Sequence, residues 1–266
     1  MAIIDTKGLE PFADLLKEIY GDLAKPGVAQ VGVALATVIG LLNTCLSPIK
    51  FLNEKTELNR QNNLKQLAKR FSEIPPEKIV EAPPEIAVPI AEKLAYVSNE
   101  ELRNLYIELL AKASTNDLNS TAHPSFINIV NNLSPDEAVL IKYLRKNNGI
   151  PFVNIELNKN DGKYGILLID ELVVIITELN LTFKTNLSAY ISNLAGAGLV
   201  EIDGTHWYSD ESKYEIYEIY LQKKQETYEL QYKDVFEQFP KRKYQIKKGL
   251  IKTTKLGQMF FKAVLG

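Results

Sequence analysis

The sequence predicts a mainly α-helical protein with an N-terminal helical region containing a long apolar helix, a central helical block, and a C-terminal winged-helix-like α+β domain. Three observations predict it. Residues 27–49 form an apolar run without a charge. Helix-start signals recur ahead of apolar residues spaced three and four apart. In the last third, helical patterns alternate with β-prone stretches around glycine-containing turns. The implied boundaries are N-terminal helices over 1–74, a Pro-rich linker at 75–90, a helical block at 91–133, and the winged-helix-like domain at 134–266 with an insert at 210–240.

Taken in order, residues 7–25 place Leu15, Leu16, Ile19, Tyr20 and Leu23 at helical spacings, which reads as a short amphipathic helix broken near Lys25-Pro26. The uncharged run Gly27–Ile49 follows, bounded by Lys25 and Lys50. As a helix it is long enough to cross a bilayer, which takes roughly 20 apolar residues. Gln30, Asn43, several Thr and Ser and three glycines make that insertion marginal. Gly32, Ala36 and Gly40 recur every fourth position and share one face, where two helix backbones can approach closely. Gln30, Thr37 and Thr44 recur every seventh position as a thin polar stripe. A helix apolar all round is either membrane-embedded or core. Both readings stand here, and the profile suits a chain that is soluble in one state and membrane-associated in another.

From Lys50 to Phe71 the chain reads as a charged amphipathic helix with Phe51, Leu52, Leu58, Leu64, Leu67 and Phe71 as its apolar members. Pro75, Pro76, Pro83, Pro84 and Pro89 then mark an extended connector, since proline fixes φ and lacks an amide donor. Ser98 with Glu101 has capping-box spacing and opens a helix through Leu102, Leu105, Tyr106, Leu109, Leu110 and Ala113. Ser134, Pro135 and Glu137 supply N-cap, N1 proline and N3 acid together, starting a helix that stops at Gly149.

In the last third, Ile150–Leu157 and Tyr164–Ile169 flank NKNDGK and predict a hairpin. Helices fit Asp170–Leu179 and Asn186–Ala197, the second introduced by Thr185 and closed by Gly198. LVEIDGTHWYS supplies a strand and turn, and KKGLIKTTKLGQMFFKAVLG a strand entering a final helix capped at Thr253 or Thr254. Helices followed by a strand pair outline a winged helix, although the insert is long for a wing. Within it, YEIYEIYLQ fits helix and strand equally, and its tyrosines read first as packing residues.

Charge narrows the function classes. A net charge of −2 gives no global attraction to nucleic acid or anionic lipid. A local basic patch does exist: Lys241, Arg242, Lys243, Lys247, Lys248, Lys252 and Lys255 have no acid among them. It suits phosphates gripped without sequence specificity, an anionic lipid surface, or simply a solvated face. The would-be recognition helix NLSAYISNLAGA has no lysine or arginine for major-groove reading, offering only Asn186 and Asn193.

No catalytic, cofactor or metal site is predicted. His123 and Ser125 lack a nucleophile elbow and an identifiable carboxylate partner, and His123 reads as capping or packing a helix start. His206 and Trp207 read as a strand pair. The acid pairs Glu100-Glu101 and Asp136-Glu137 sit in first helical turns, where the macrodipole accounts for them. Gly196 and Gly198 do not make a dinucleotide fingerprint. Two histidines and the single Cys45 leave little for zinc and nothing for an intrachain disulfide. The first residues lack the basic and apolar regions of a signal peptide, so a cytoplasmic protein is expected.

The order APPEIAVPIAEKLAYVSNEELRNLYIELLAKAS, then HPSF at His123–Phe126, then LSPDEA at Leu133–Ala138, resembles the Abi-alpha (abortive infection alpha) family. The similarity is clearest over Pro83–Leu144 and looser in the flanks. It implies a bacterial, phage- or plasmid-linked defence protein, and it implies no known catalytic residues. Together with the patterning, this leads to the expectation of a non-enzymatic protein that self-associates and engages membrane lipid through residues 27–49, peripherally or conditionally at the inner membrane, with an unknown phage-derived trigger. The alternatives are a nucleic-acid-binding regulator that uses the basic patch and a purely structural interaction module.

Overall fold

The computed structural model describes residues 54–147, 149–158, 165–172, 179–238 and 243–266. The run at 27–49 lies outside the described residues. So does everything predicted for residues 7–25, and Phe51 and Leu52 with it. Among the described residues no helix is long and apolar enough to cross a membrane. Among the described residues the architecture is mainly helical, with one four-stranded sheet in the C-terminal half. The chain divides into two units, one ending at Ala138 and including Met259–Gly266, the other Val139–Gln258.

The first unit is organised around a buried helix. Helix α1 (Glu54–Ser72) buries Leu64, Leu67 and Phe71, while Leu58 faces solvent. Helix α2 (Pro84–Leu94) falls where the proline run predicts an extended connector. Pro84 stands at the first helical position, where the missing amide costs nothing, and Ile86, Ala87, Ile90, Ala91 and Leu94 give the segment an apolar face that outweighs Pro89 inside it. Ahead of it the chain is extended only locally, with Ile79 bridging Thr115 and the Val80 amide donating to the Ser114 carbonyl at 2.9 Å.

Helix α3 (Glu100–Ala113) starts one residue later than the Ser98 signal suggests. Asn99 is its N-cap, with the side-chain oxygen accepting from the Leu102 amide at 3.1 Å. Every residue from Leu105 to Ala113 is buried, including Glu108 and Lys112. Helices α1, α2 and α4 (Ser125–Asn131) pack around it. His123 is exposed and accepts from the Ser125 amide through Nδ1 at 3.1 Å, capping α4 as the sequence suggests. Phe126 meets Phe260 edge-on, with ring centroids 5.4 Å apart.

Helix α5 (Pro135–Asn147) opens with both arms of the expected capping box. The Ser134 amide donates to Glu137 Oε2 at 2.6 Å, and the Glu137 amide to Ser134 Oγ at 3.3 Å.

In the second unit the sheet runs in the order β2-β1-β4-β3, with every neighbour antiparallel. Strands β1 (Ile150–Asn158) and β2 (Gly165–Leu172) form the expected hairpin. Asp170, Glu171 and Leu172 belong to β2 rather than to a helix, because Leu172 pairs with Val153 and cross-strand bonding overrides a local helical pattern. Helix α6 (Leu187–Gly196) is entered through a short 3-10 turn at Lys184–Asn186, without a side-chain cap from Thr185. It closes in a Schellman motif at Gly198, where φ is +75° and the Leu199 amide donates to the Leu194 carbonyl at 2.9 Å.

Strand β3 (Val200–Asp203) pairs with β4 (Lys243–Thr253), and between them in sequence lie α7 (Ser212–Gln231) and the short α8 (Lys233–Gln238). Helix α7 settles the ambiguity of YEIYEIYLQ. Tyr214 and Tyr217, three apart, are fully buried against Val153 and Ile155 of β1, which a strand with period two could not achieve from the same residues. Gly249 is required where the sheet meets Phe152, since a Cβ there would lie 2.2 Å from the ring. Helix α9 (Lys255–Val264) is capped by Thr254 and not Thr253, with its Oγ1 accepting from the Gly257 amide at 2.9 Å.

Candidate functional site

The predicted functional residues that the structure describes all lie on or next to β4. Strand alternation sends Tyr244, Ile246 and Lys248 toward α7 and Lys247 to the opposite face. Lys247 reaches Glu156 of β1 at 2.8 Å. Lys248 pairs with Glu211 at the start of α7 and lies 5.2 Å from the centre of the Tyr214 ring. Lys252 contacts Asp203 at 2.8 Å and Glu201 at 3.5 Å, both on β3. A stretch without an acid in sequence is therefore matched by acids across the sheet. Lys255 is exposed at the first position of α9 and has no acid partner among the described residues. Lys243 begins β4. Lys241 and Arg242 lie outside the described residues, as do Gln30, Gly32, Ala36, Thr37, Gly40 and Thr44.

Asp203 is the hub of this end of the sheet. Its Oδ1 accepts from the Thr205 amide at 2.8 Å, the Thr205 hydroxyl at 2.7 Å and the His206 amide at 3.1 Å. Its Oδ2 receives Lys252 Nζ and lies 2.7 Å from His206 Nδ1. The Lys252 hydrogen bond, followed by those from Thr205, holds this carboxyl far below the usual carboxylate range, and the same Asp203 raises Lys252. His206 and Trp207 accordingly lie in the loop after β3 and do not form a strand pair. The Asp-Gly-Thr order carries an Asx-turn signal that could have revealed this. Glu156, Glu201 and Glu211 had no such signal, because their partners are distant in sequence.

The aromatic residues of the insert form a second feature. The Tyr214 hydroxyl donates to the Gly249 carbonyl at 3.0 Å and accepts from the Tyr208 amide at 3.1 Å, and Tyr217 donates to the Pro151 carbonyl. The Tyr232 hydroxyl donates to the Leu168 carbonyl at 3.0 Å. These tyrosines serve packing, as their spacing suggests. Further along α7 the contact with β4 opens into a cleft of about 280 Å³ with Leu221, Tyr228, Tyr244 and Ile246 as walls and Glu218, Gln222 and Gln225 at the polar margin.

The first unit holds one largely internal charged cluster. Arg70 binds Glu108 through two hydrogen bonds of 2.6 and 3.0 Å, and Lys112 lies 3.5 Å from the same carboxylate. Lys112 also donates to the Lys262 carbonyl and, at 2.8 Å, to the Leu265 carbonyl at the end of α9. Burial pushes the Glu108 carboxyl up, but the Arg70 hydrogen bonds and the charges of Arg70 and Lys112 outweigh it and leave the group below its usual range. This arrangement anchors helices. Among the described residues no group of three His, Cys, Asp or Glu is placed to hold a metal ion.

The family model described as abortive infection alpha matches residues 56–264, covering nearly all of both described units and beginning after the apolar run. No curated protein and no solved structure matches the chain. The match extends well beyond Pro83–Leu144, where the resemblance is clearest, into the sheet and final helix. The chain belongs to the abortive infection alpha family.

Proposed function

We propose that this chain is a non-enzymatic anti-phage protein of the abortive-infection type that acts by self-association and by engaging the inner membrane through residues 27–49. The observation that carries the proposal is the family match over residues 56–264. The sequence of the apolar run supports the membrane step. Gly32, Ala36 and Gly40 provide a close-approach face, and Gln30, Thr37 and Thr44 provide hydrogen-bonding groups that gain partners when copies associate. Marginal hydrophobicity suits a cytoplasmic protein that commits to the membrane only on a phage-derived trigger. In this reading the C-terminal unit is a winged-helix-like association domain, with α6 leading into the β3-β4 pair and α7 standing in place of a wing.

A nucleic-acid regulator acting through Lys241, Arg242, Lys243 and the rest of β4 has less support. Lys247, Lys248 and Lys252 already meet carboxylates, so a phosphate would have to displace Glu156, Glu211 or Asp203. A structural interaction module remains the third reading, and a stable oligomer indifferent to both lipid and DNA would favour it. Dye leakage from vesicles of bacterial lipid tests the proposal. Wild-type protein is expected to release dye and the Gly32→Leu, Ala36→Leu, Gly40→Leu variant to lose that activity. Equal leakage, or none from either, overturns the membrane step. Salt-dependent DNA retardation abolished by neutralising Lys241, Arg242 and Lys243 would favour the regulator instead.

A further inference from the structure

The cleft between α7 and β4 is not needed by any step proposed above. Its volume, about 280 Å³, lies near the lower end of small-ligand sites and suits a molecule of about one ring system. Leu221 and Ile246 make its aliphatic surface, and Tyr228 and Tyr244 its aromatic surface. Among the described residues lining it, Glu218 is the single charged group, and no lysine or arginine is present to receive a phosphate or carboxylate.

The polar margin is rich in acceptors. The Gln225 amide donates one N–H to Glu229 at 2.8 Å, which turns its carbonyl oxygen away from that carboxylate as an acceptor. The Tyr228 hydroxyl oxygen lies 3.5 Å from that of Tyr220. The Glu218 carboxylate only accepts when ionised. Tyr228 and Tyr244 are neutral phenols at physiological pH, as an unshifted tyrosine already is, and burial raises both further. Neutral aromatic rings beside a carboxylate, over an apolar floor, attract a cation that carries its own apolar body.

We propose that this cleft is a binding site for a small organic monocation, an amine or quaternary ammonium with an aromatic or aliphatic body, whose charge sits between Glu218 and the tyrosine rings. The inference is independent of the membrane mechanism. Benzyltrimethylammonium is a suitable probe, titrated into the 266-residue chain by calorimetry, with benzoate as the anionic and adenosine as the neutral planar comparator. Saturable binding of the cation is expected, with benzoate and adenosine weaker. Glu218→Gln should weaken the cation about threefold, while Glu215→Gln, equally exposed on α7 but not among the cleft-lining residues, should leave it unchanged. Tyr228→Leu should weaken it comparably and Tyr228→Phe by no more than about twofold, because the ring and not the hydroxyl makes the contact. Near-UV circular dichroism identifies variants that retain the fold. The proposal is overturned if the wild-type chain shows no saturable binding, if benzoate or adenosine binds as tightly as the cation, or if folded Glu218→Gln binds with wild-type affinity.

Discussion

Helix α3 and strand β4 both carry lysines against carboxylates, yet they use them differently. On α3, Lys112 and Glu108 are both buried and Arg70, partly exposed, completes the cluster from α1. On β4, the Lys247 side chain remains half exposed while it reaches Glu156 across the strands. A buried charge stripped of its partner has no water to fall back on, whereas a rim charge does. Position in the fold, more than residue type, therefore separates structural charges from charges available to a partner.

The contrast is tested first where it predicts the largest loss. Glu108→Ala leaves Arg70 and Lys112 without their common acid and should cost about 3 kcal/mol in chemical denaturation. A cost near zero would show that water reaches the cluster. On the sheet side, Gly249→Ala drives a methyl group into the Phe152 ring, and overpacking of this kind costs about 1–3 kcal/mol. Thr254→Ala removes the α9 cap and should cost about 1 kcal/mol, with Thr253→Ala as the comparison that identifies which threonine caps. At the small end, Lys247→Ala should change stability by less than about 1 kcal/mol.

Acid and base sharpen the same comparison. The Glu108 carboxyl is lowered in the folded chain, so its contribution is fully present above the ordinary carboxylate pKa and is lost as pH falls through the folded value. Tyr106 is pushed up to about 12 by burial, so its contribution is intact below the ordinary phenol pKa and is lost as pH rises through about 12. Denaturation across pH should show a decline on both sides, and Glu108→Gln should lessen the acid-side decline alone, leaving the share that Asp203 contributes.

Features made by neighbours in sequence were legible. The Ser134–Glu137 capping box, the Gly198 helix stop and the β1-β2 pairing each depend on a few adjacent residues, and their signals were unambiguous. Local signals failed where tertiary packing decides. Pro84–Leu94 became a helix because its apolar face is buried, Asp170–Leu172 a strand because β1 offers a partner, and α7 a helix because Tyr214 and Tyr217 fit the sheet. The candidate site shows the same division. The lysines of β4 were visible as a run, but the acids that meet them arrive from β1, β3 and α7 and carry no local mark.

The central claim is that defence runs through the small-residue face of residues 27–49 and not through the β4 lysines. Phage plating on cells that make the chain tests it most directly. Wild type should reduce plaque formation, Gly32→Leu with Ala36→Leu and Gly40→Leu should abolish that protection at equal protein level, and Lys247→Ala with Lys252→Ala should retain it. Protection that survives the leucine variant, or is lost with the two lysines while the protein remains folded, would contradict the account.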